Sequence, residues 1–268
     1  MNPARRPLGT TGIEVSPVGL GTVTLGRTGG LKLARQPTRL PTDDEAMALL
    51  AAAHRTGVRL IDTAPAYGSS EQRLGSLLPR VASRQDWVLC TKAGEMFDPA
   101  ADQGRGASAY DFSPGALTTS VERSLGRLRV DAVDIALLHF SRATDDASVI
   151  NKGEALGALI DLRDRGLVRA VGASVASVAG GHAALAAGAQ VLMLTLNPSE
   201  TAMLPVAAEA ARRGVGVIVK KALAGGTLDP ATALSWTLAQ PGVSCAVVGT
   251  SRPEHLLDAL AACAPRRA

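Results

Sequence analysis

The sequence predicts an α/β fold, a (β/α)8 TIM barrel in a single domain over residues 1–268. From about residue 43 onward, short apolar and β-branched runs alternate with longer Ala- and Leu-rich stretches, the pattern of a parallel sheet. Eight such runs fall at 15–21, 58–62, 87–92, 133–139, 168–174, 191–197, 214–220 and 245–250. They are near-continuously apolar rather than alternating, as strands covered on both faces must be. The chain of 268 residues also suits a barrel, which typically takes about 250.

The connecting elements follow in order. Residues 8–15, with Thr11-Gly12 at their centre, predict a hairpin across the barrel bottom. Thr42 and Glu45 form a capping box before Ala46-Met47-Ala48-Leu49-Leu50. Ser113-Pro114 places an N-cap before a proline at the first helical position. Gly57, Gly166 and Gly214 fall where helices stop before the next strand. Two loops, 22–41 and 93–112, are too long to be plain connectors and leave the C-terminal face, where they shape a pocket. There is no linker, low-complexity tract or repeat beyond the βα unit.

Composition narrows the function. The net charge is +4, the basic residues are scattered and 3% of residues are aromatic, which argues against a nucleic-acid partner. A modest positive field suits an anionic cofactor or substrate instead. No apolar run reaches the ~20 residues of a membrane span, and no apolar stretch follows Arg5-Arg6 as in a signal peptide. Cys90, Cys245 and Cys263 are odd in number and form no C-x-x-C, so they read as reduced thiols. The expectation is therefore a cytoplasmic protein with no membrane association. His54 and His182 lie in helical stretches, no histidines pair at i, i+4, and no metal site is expected. The oligomeric state stays open.

The chemistry concentrates in Asp62-Thr63-Ala64-Pro65-Ala66-Tyr67-Gly68-Ser69-Ser70-Glu71, together with Lys92 and His139. Asp62, Lys92 and His139 each close a predicted strand, and Tyr67 lies in the loop after the first of them. Strand ends of a parallel barrel meet at one face, so an acid, a lysine, a histidine and a phenol converge there. That set suits proton transfer to a carbonyl oxygen. Taken singly, Asp62 and Lys92 also suit a structural ion pair, and Tyr67 a rim aromatic.

At these residues the sequence resembles the aldo-keto reductase family. The resemblance covers nearly the whole chain. It includes Leu8-Gly9-Thr10-Thr11-Gly12, Gly19-Leu20-Gly21-Thr22, Ser120-Val121-Glu122-Arg123-Ser124-Leu125, Val171-Gly172-Ala173-Ser174 and Val248-Gly249-Thr250-Ser251-Arg252-Pro253-Glu254. Tyr110-Asp111-Phe112-Ser113-Pro114 resembles the compact bacterial branch that contains sugar dehydrogenases. The resemblance implies Tyr67 as general acid, with Lys92 lowering the phenol pKa, Asp62 holding Lys92, and His139 hydrogen-bonding the carbonyl oxygen.

No side chain supplies hydride, so a nicotinamide cofactor is required. No Gly-x-Gly-x-x-Gly opens a βαβ unit, which argues against a Rossmann site. The resemblance implies cofactor contacts from Gly21, Thr22, Asp62 and Ser174, from Lys220, Lys221 and Leu223 after the seventh strand, and from Gly249, Thr250, Ser251, Arg252, His255 and Asp258 after the eighth. Arg252 is the cation for an adenosine 2′-phosphate. The chain departs from the family pattern at Val175, Met193, Lys220, Ala222, His255 and Ala259, where asparagine, glutamine, the nicotinamide-stacking tyrosine, proline, arginine or glutamine, and asparagine are usual. NADP(H) is the expected cofactor, with NAD(H) left open. The C-terminal end at Ala268 is expected to leave the pocket open on one side.

The implied function is interconversion of a carbonyl (aldehyde, ketone or sugar) with an alcohol on a small-molecule substrate. Two alternatives stand beside it: an aldose 1-dehydrogenase forming a lactone, and a barrel-fold binding or regulatory protein with little turnover.

Overall fold

The computed structural model describes residues 4–31, 38–102, 106–141 and 144–263. The expected opening of the pocket beside Ala268, and part of the 22–41 loop, lie outside the described residues. The chain opens with a hairpin of β1 (Arg6–Pro7) and β2 (Glu14–Val15), turned by Gly9 and Gly12 at φ +55° and +71°. This is the hairpin expected at 8–15. The run expected as one strand at 15–21 is divided, because Val15 belongs to the hairpin and the barrel strand begins at Val18. The break falls at Ser16-Pro17. Proline offers no N–H to a ladder, and the Ser16 hydroxyl donates to Val18 O at 2.6 Å, turning the chain.

The barrel strands begin with β3 (Val18–Gly21), β4 (Leu60–Asp62) and β5 (Val88–Ala93). A second hairpin, β6 (Glu95–Asp98) with β7 (Ala107–Tyr110), follows outside the barrel. The remaining strands are β8 (Val133–His139), β9 (Val168–Ser174), β10 (Val191–Thr195), β11 (Gly216–Lys220) and β12 (Val243–Gly249). All eight barrel neighbours pair in parallel and the ring closes through β12 against β3. The eight-stranded barrel expected from the sequence is therefore present; the runs at 133–139 and 168–174 have the expected bounds, and the ends of the other six move by at most three residues.

Ten helices are seen among the described residues: α1 (Val23–Gly26), α2 (Asp43–Arg55), α3 (Ser70–Val81), α4 (Pro114–Leu128), α5 (Asp146–Asn151), α6 (Glu154–Asp164), α7 (Val178–Ala186), α8 (Leu204–Arg212), α9 (Pro230–Leu238) and α10 (Pro253–Ala262). The capping box before α2 is formed as read, with Glu45 N donating to Thr42 Oγ1 at 3.2 Å and Thr42 N to Glu45 Oε2 at 2.7 Å. Ser113 stands at the N-cap of α4, but its side chain makes no capping bond. Asp111 instead accepts from Ser113 N at 2.9 Å.

The apolar residues divide into two shells. Inside the barrel lie Leu60, Cys90, Ile135, Leu137, Met193, Ile218, Cys245 and Val247, closed from below by Leu8, Ile13 and Val15. Outside it, Leu49, Leu74, Val121, Leu159 and Val206 pack helices onto the strands. Successive strand residues face opposite shells, which explains why whole strands read as apolar. Burial raises the Cys90 and Cys245 thiols above their ordinary range, and raises Cys263 to about 11, so all three stay protonated at neutral pH. Among the described residues no helix is long and apolar enough to cross a membrane, and no cluster is arranged to hold a metal.

Candidate active site

Asp62 ends β4 and pairs in register with Cys90 of β5. Lys92 lies two residues beyond Cys90 and so leaves the same side of the strand. Its side chain is completely buried. The ammonium donates to Asp62 Oδ1 at 2.6 Å, to Thr63 O at 2.9 Å and to the Tyr67 hydroxyl at 3.2 Å. All three donors are thus engaged, the condition under which a buried charge is tolerated. Tyr67 ends a single 3₁₀ turn, Pro65–Tyr67, and its ring lies under Lys92 Nζ, 4.7 Å from the centroid.

Close backbone contact holds this turn. Gly68 takes φ +62°, and Ser69 N donates to Gly26 O at 3.1 Å. A Cβ on Gly26 would collide with Tyr67 O and Ser70 N. Beneath, the Thr63 hydroxyl meets Ser70 Oγ, Ser70 donates to Thr22 Oγ1 at 2.8 Å, and Thr22 donates to Asp62 O at 2.9 Å. Glu71 serves the scaffold rather than the cavity. It is buried and accepts from Thr91, Ser124 and Arg127, fastening α3 to β5 and α4.

The electrostatics differ in one respect from the sequence reading. Lys92 does lower the Tyr67 phenol, but burial raises it more and Asp62 adds to the rise, so the net shift is upward, to about 12. Burial would lower Lys92, yet Asp62 and Tyr67 together raise it, keeping the ammonium charged.

His139 ends β8 and meets Tyr67 edge-on, ring centroids 6.0 Å apart. Burial, then the charges of Lys92, Lys220 and Arg27, hold it well below the usual histidine range. The residue missed in sequence is Glu95 on β6. It is nearly buried, and its Oε2 lies 3.0 Å from His139 Nδ1. Ser108 of β7 donates to its other oxygen at 2.6 Å. In both strands of this hairpin alternate positions are exposed or half-exposed, so the 93–112 segment carries little hydrophobic signal in the sequence.

A cavity of about 1050 Å³ opens above these groups. Asp62, Tyr67, Glu95 and His139 line its inner end, and the wall runs out past Gly21, Thr22, Lys220, Lys221, Leu223, Gly249, Thr250, His255 and Asp258. Three residues expected at a cofactor do not line it. Ser174 is buried beneath Lys220, accepting from its ammonium at 2.8 Å. Ser251 and Arg252 stand just before α10, with Arg252 exposed. Lys220 is lowered to about 7, by burial first and then by Lys221 and Lys92.

A barrel with this cluster at its C-terminal face can be compared with known proteins. The Aldo/keto reductase family profile matches residues 17–232. The chain belongs to the aldo/keto reductase family. A solved structure from Pseudomonas aeruginosa assigned to the aldo-keto reductases is 41% identical, with a TM-score of 0.85 over 96% of this chain and 93% of that one. Among curated relatives, the L-galactose dehydrogenase of Arabidopsis thaliana is 33% identical over 62% of this chain and 47% of its own length. The D-threo-aldose 1-dehydrogenase of a Pseudomonas species is 32% identical over 64% and 58%. The NADH-specific methylglyoxal reductase of Escherichia coli is 34% identical over 63% and 51%. The chain spans about half the length of these curated relatives. Nicotinamide cofactors serve this family, and the fold is the aldo/keto reductase barrel.

Proposed function

We propose that this aldo/keto reductase interconverts a small-molecule carbonyl and the corresponding alcohol with NADP(H), Tyr67 acting as proton donor. The observation that carries the reading is the Tyr67 hydroxyl, 3.2 Å from a fully buried, Asp62-clamped ammonium at the inner end of a large cavity. A phenol raised to about 12 holds its proton at neutral pH and can give it to a carbonyl oxygen. Lys92 then stabilises the phenolate that remains.

The cavity suits an extended anionic cofactor. Lys220 and Lys221 line it, Gly225 and Gly226 reach it at φ +73° and +95°, and Thr250 and His255 line it beside α10. Bound there, a nicotinamide supplies the hydride that no side chain can. Arg252, exposed just before α10, is our choice for the 2′-phosphate. Glu95, Ser108, Tyr110 and Ser141 make the substrate side of the wall rich in hydroxyls and carboxylate, which favours sugar oxidation to a lactone as the second reading. Within either reading the protein acts in the cytoplasm, without nucleic acid or membrane. The test is nicotinamide absorbance with NADPH and NADH across aldehydes, ketones and aldoses. Turnover of carbonyls supports the first reading, turnover of aldoses with oxidised cofactor the second. Cofactor binding without turnover on any substrate overturns both and leaves a binding protein.

A further inference from the structure

Lys220 is a nucleophile of the cavity that the proposed proton transfer leaves unused. It ends β11, is partly buried and lines the same cavity as Tyr67 and His139. Its ammonium donates to Ser174 Oγ at 2.8 Å, across the end of β10. Ser174 pairs in register with His139, which brings the amine to the histidine's end of the cavity. The carboxylates whose charge reaches Lys220 are engaged elsewhere. Asp62 is held by Lys92 at 2.6 Å, and Glu95 lies beside His139 at 3.0 Å.

The groups around the amine are Lys221, next along the chain, Lys92 of β5, Asp62 of β4, Glu95 of β6, His139 of β8 and Ser174 of β9. Burial first, then the charges of Lys221 and Lys92, lower it to about 7, and Asp62 and Glu95 offset only part of that. About half of the molecules then carry a free amine at neutral pH, whereas an ordinary lysine near 10.5 offers roughly one in 3,000. Lys92 differs, because its three donors are engaged and Asp62 keeps it charged. A desolvated lysine beside other cations is the arrangement that turns an amine into a nucleophile toward carbonyls.

We propose that Lys220 is a covalent capture site for aldehydes, its amine condensing with the carbonyl carbon to an imine. This goes beyond the oxidoreductase reading and needs no hydride. The Nζ lone pair forms a C–N bond as the carbonyl π pair moves to oxygen, and one N–H proton passes to that oxygen. Tyr67, a proton donor at the inner end of the same cavity, protonates the resulting hydroxyl. Water leaves, the nitrogen lone pair closes the C=N bond, and the iminium gives its remaining N–H proton back to the phenolate. Addition of water reverses these steps, so capture is reversible and nothing is oxidised or reduced.

The test is reductive trapping. Cofactor-free protein is pulsed with propanal and cyanoborohydride, which reduces an iminium to a stable secondary amine, and the propyl groups are located by peptide mass spectrometry. The chain has five lysines, so the pattern is easily resolved. At pH 7 Lys220 should be labelled about tenfold or more faster than the exposed Lys152 and Lys221, its excess of free amine outweighing a lower intrinsic nucleophilicity. Between about pH 6 and 8 its labelling should level off, while that of an ordinary lysine rises about tenfold per pH unit. In urea-unfolded protein the excess should vanish. Label spread evenly over the lysines, an excess that survives unfolding, or Lys220 labelling that climbs tenfold per pH unit throughout overturns the proposal. None of these outcomes depends on nicotinamide turnover, so the failure of capture and the failure of the oxidoreductase reading are told apart.

Discussion

Lys92 is the residue on which the site's electrostatics turn. Lys92→Met keeps the length and removes the charge. It leaves Asp62 buried without its partner, which should cost about 3–5 kcal/mol in denaturant unfolding. Tyr67 loses the charge that lowers it and should titrate still higher than about 12, so alcohol oxidation, which needs phenolate, should shift to more alkaline pH. Wild type and variant sharing one oxidation pH profile would remove Lys92 from the tuning of Tyr67. Lys220 gives a second pH signature. Its pKa falls from 10.5 unfolded to about 7 folded, so between these values the unfolded chain binds more protons and stability rises with pH. Below about 7 the full burden of burying the charge is present, and above 10.5 it is gone. Lys220→Met should therefore gain most in Tm, relative to wild type, below neutrality, and the gain should shrink toward the alkaline end. A difference independent of pH would show that Lys220 stays charged throughout. Asp62, Lys92 and His139 were legible because each closes an apolar run. The direction of the Tyr67 shift was not, because sequence shows the neighbouring charge of Lys92 but not the burial that outweighs it.

At the scale of elements, the 3₁₀ turn bearing Tyr67 is placed by α1. Gly26→Ala would drive a methyl group into Tyr67 O and Ser70 N. The turn should move away from Lys92, costing about 1–3 kcal/mol in stability and lowering kcat more than the loss of folded protein accounts for. Unchanged kcat would show that α1 does not set the turn. Barrel strands could be read in the sequence because both faces of each are apolar. The split at Pro17 was hidden inside one continuous apolar run, and the register of Val15 against Arg6 became visible only in the hairpin. The β6–β7 hairpin was read as a loop because four-residue strands with exposed alternate positions leave almost no hydrophobic signal. Glu95 was lost with it.

For the whole molecule, barrel strands β4 and β8 and the β6 hairpin outside the barrel bring Asp62, His139 and Glu95 to the inner end of a cavity whose outer wall comes from the β11 and β12 loops, with Lys92 of β5 buried against Asp62 and Tyr67. Arg252 stands outside that wall, and the proposed reading has it meet the 2′-phosphate at the rim. Arg252→Ala should weaken NADPH by about tenfold, as befits a charge-assisted contact, and leave NADH nearly unchanged in fluorescence titrations. Equal losses for both would remove Arg252 from the site. Everything proposed for the cavity depends on Tyr67 delivering the proton to the carbonyl oxygen. Single-turnover reduction with Tyr67→Phe preloaded with NADPH, run beside the wild type, isolates that step from binding and product release. Cofactor affinity should be retained while the rate of nicotinamide oxidation falls by about 10²–10⁴. A variant that binds NADPH and reduces the substrate within a few-fold of the wild-type rate would show that the proton comes from elsewhere.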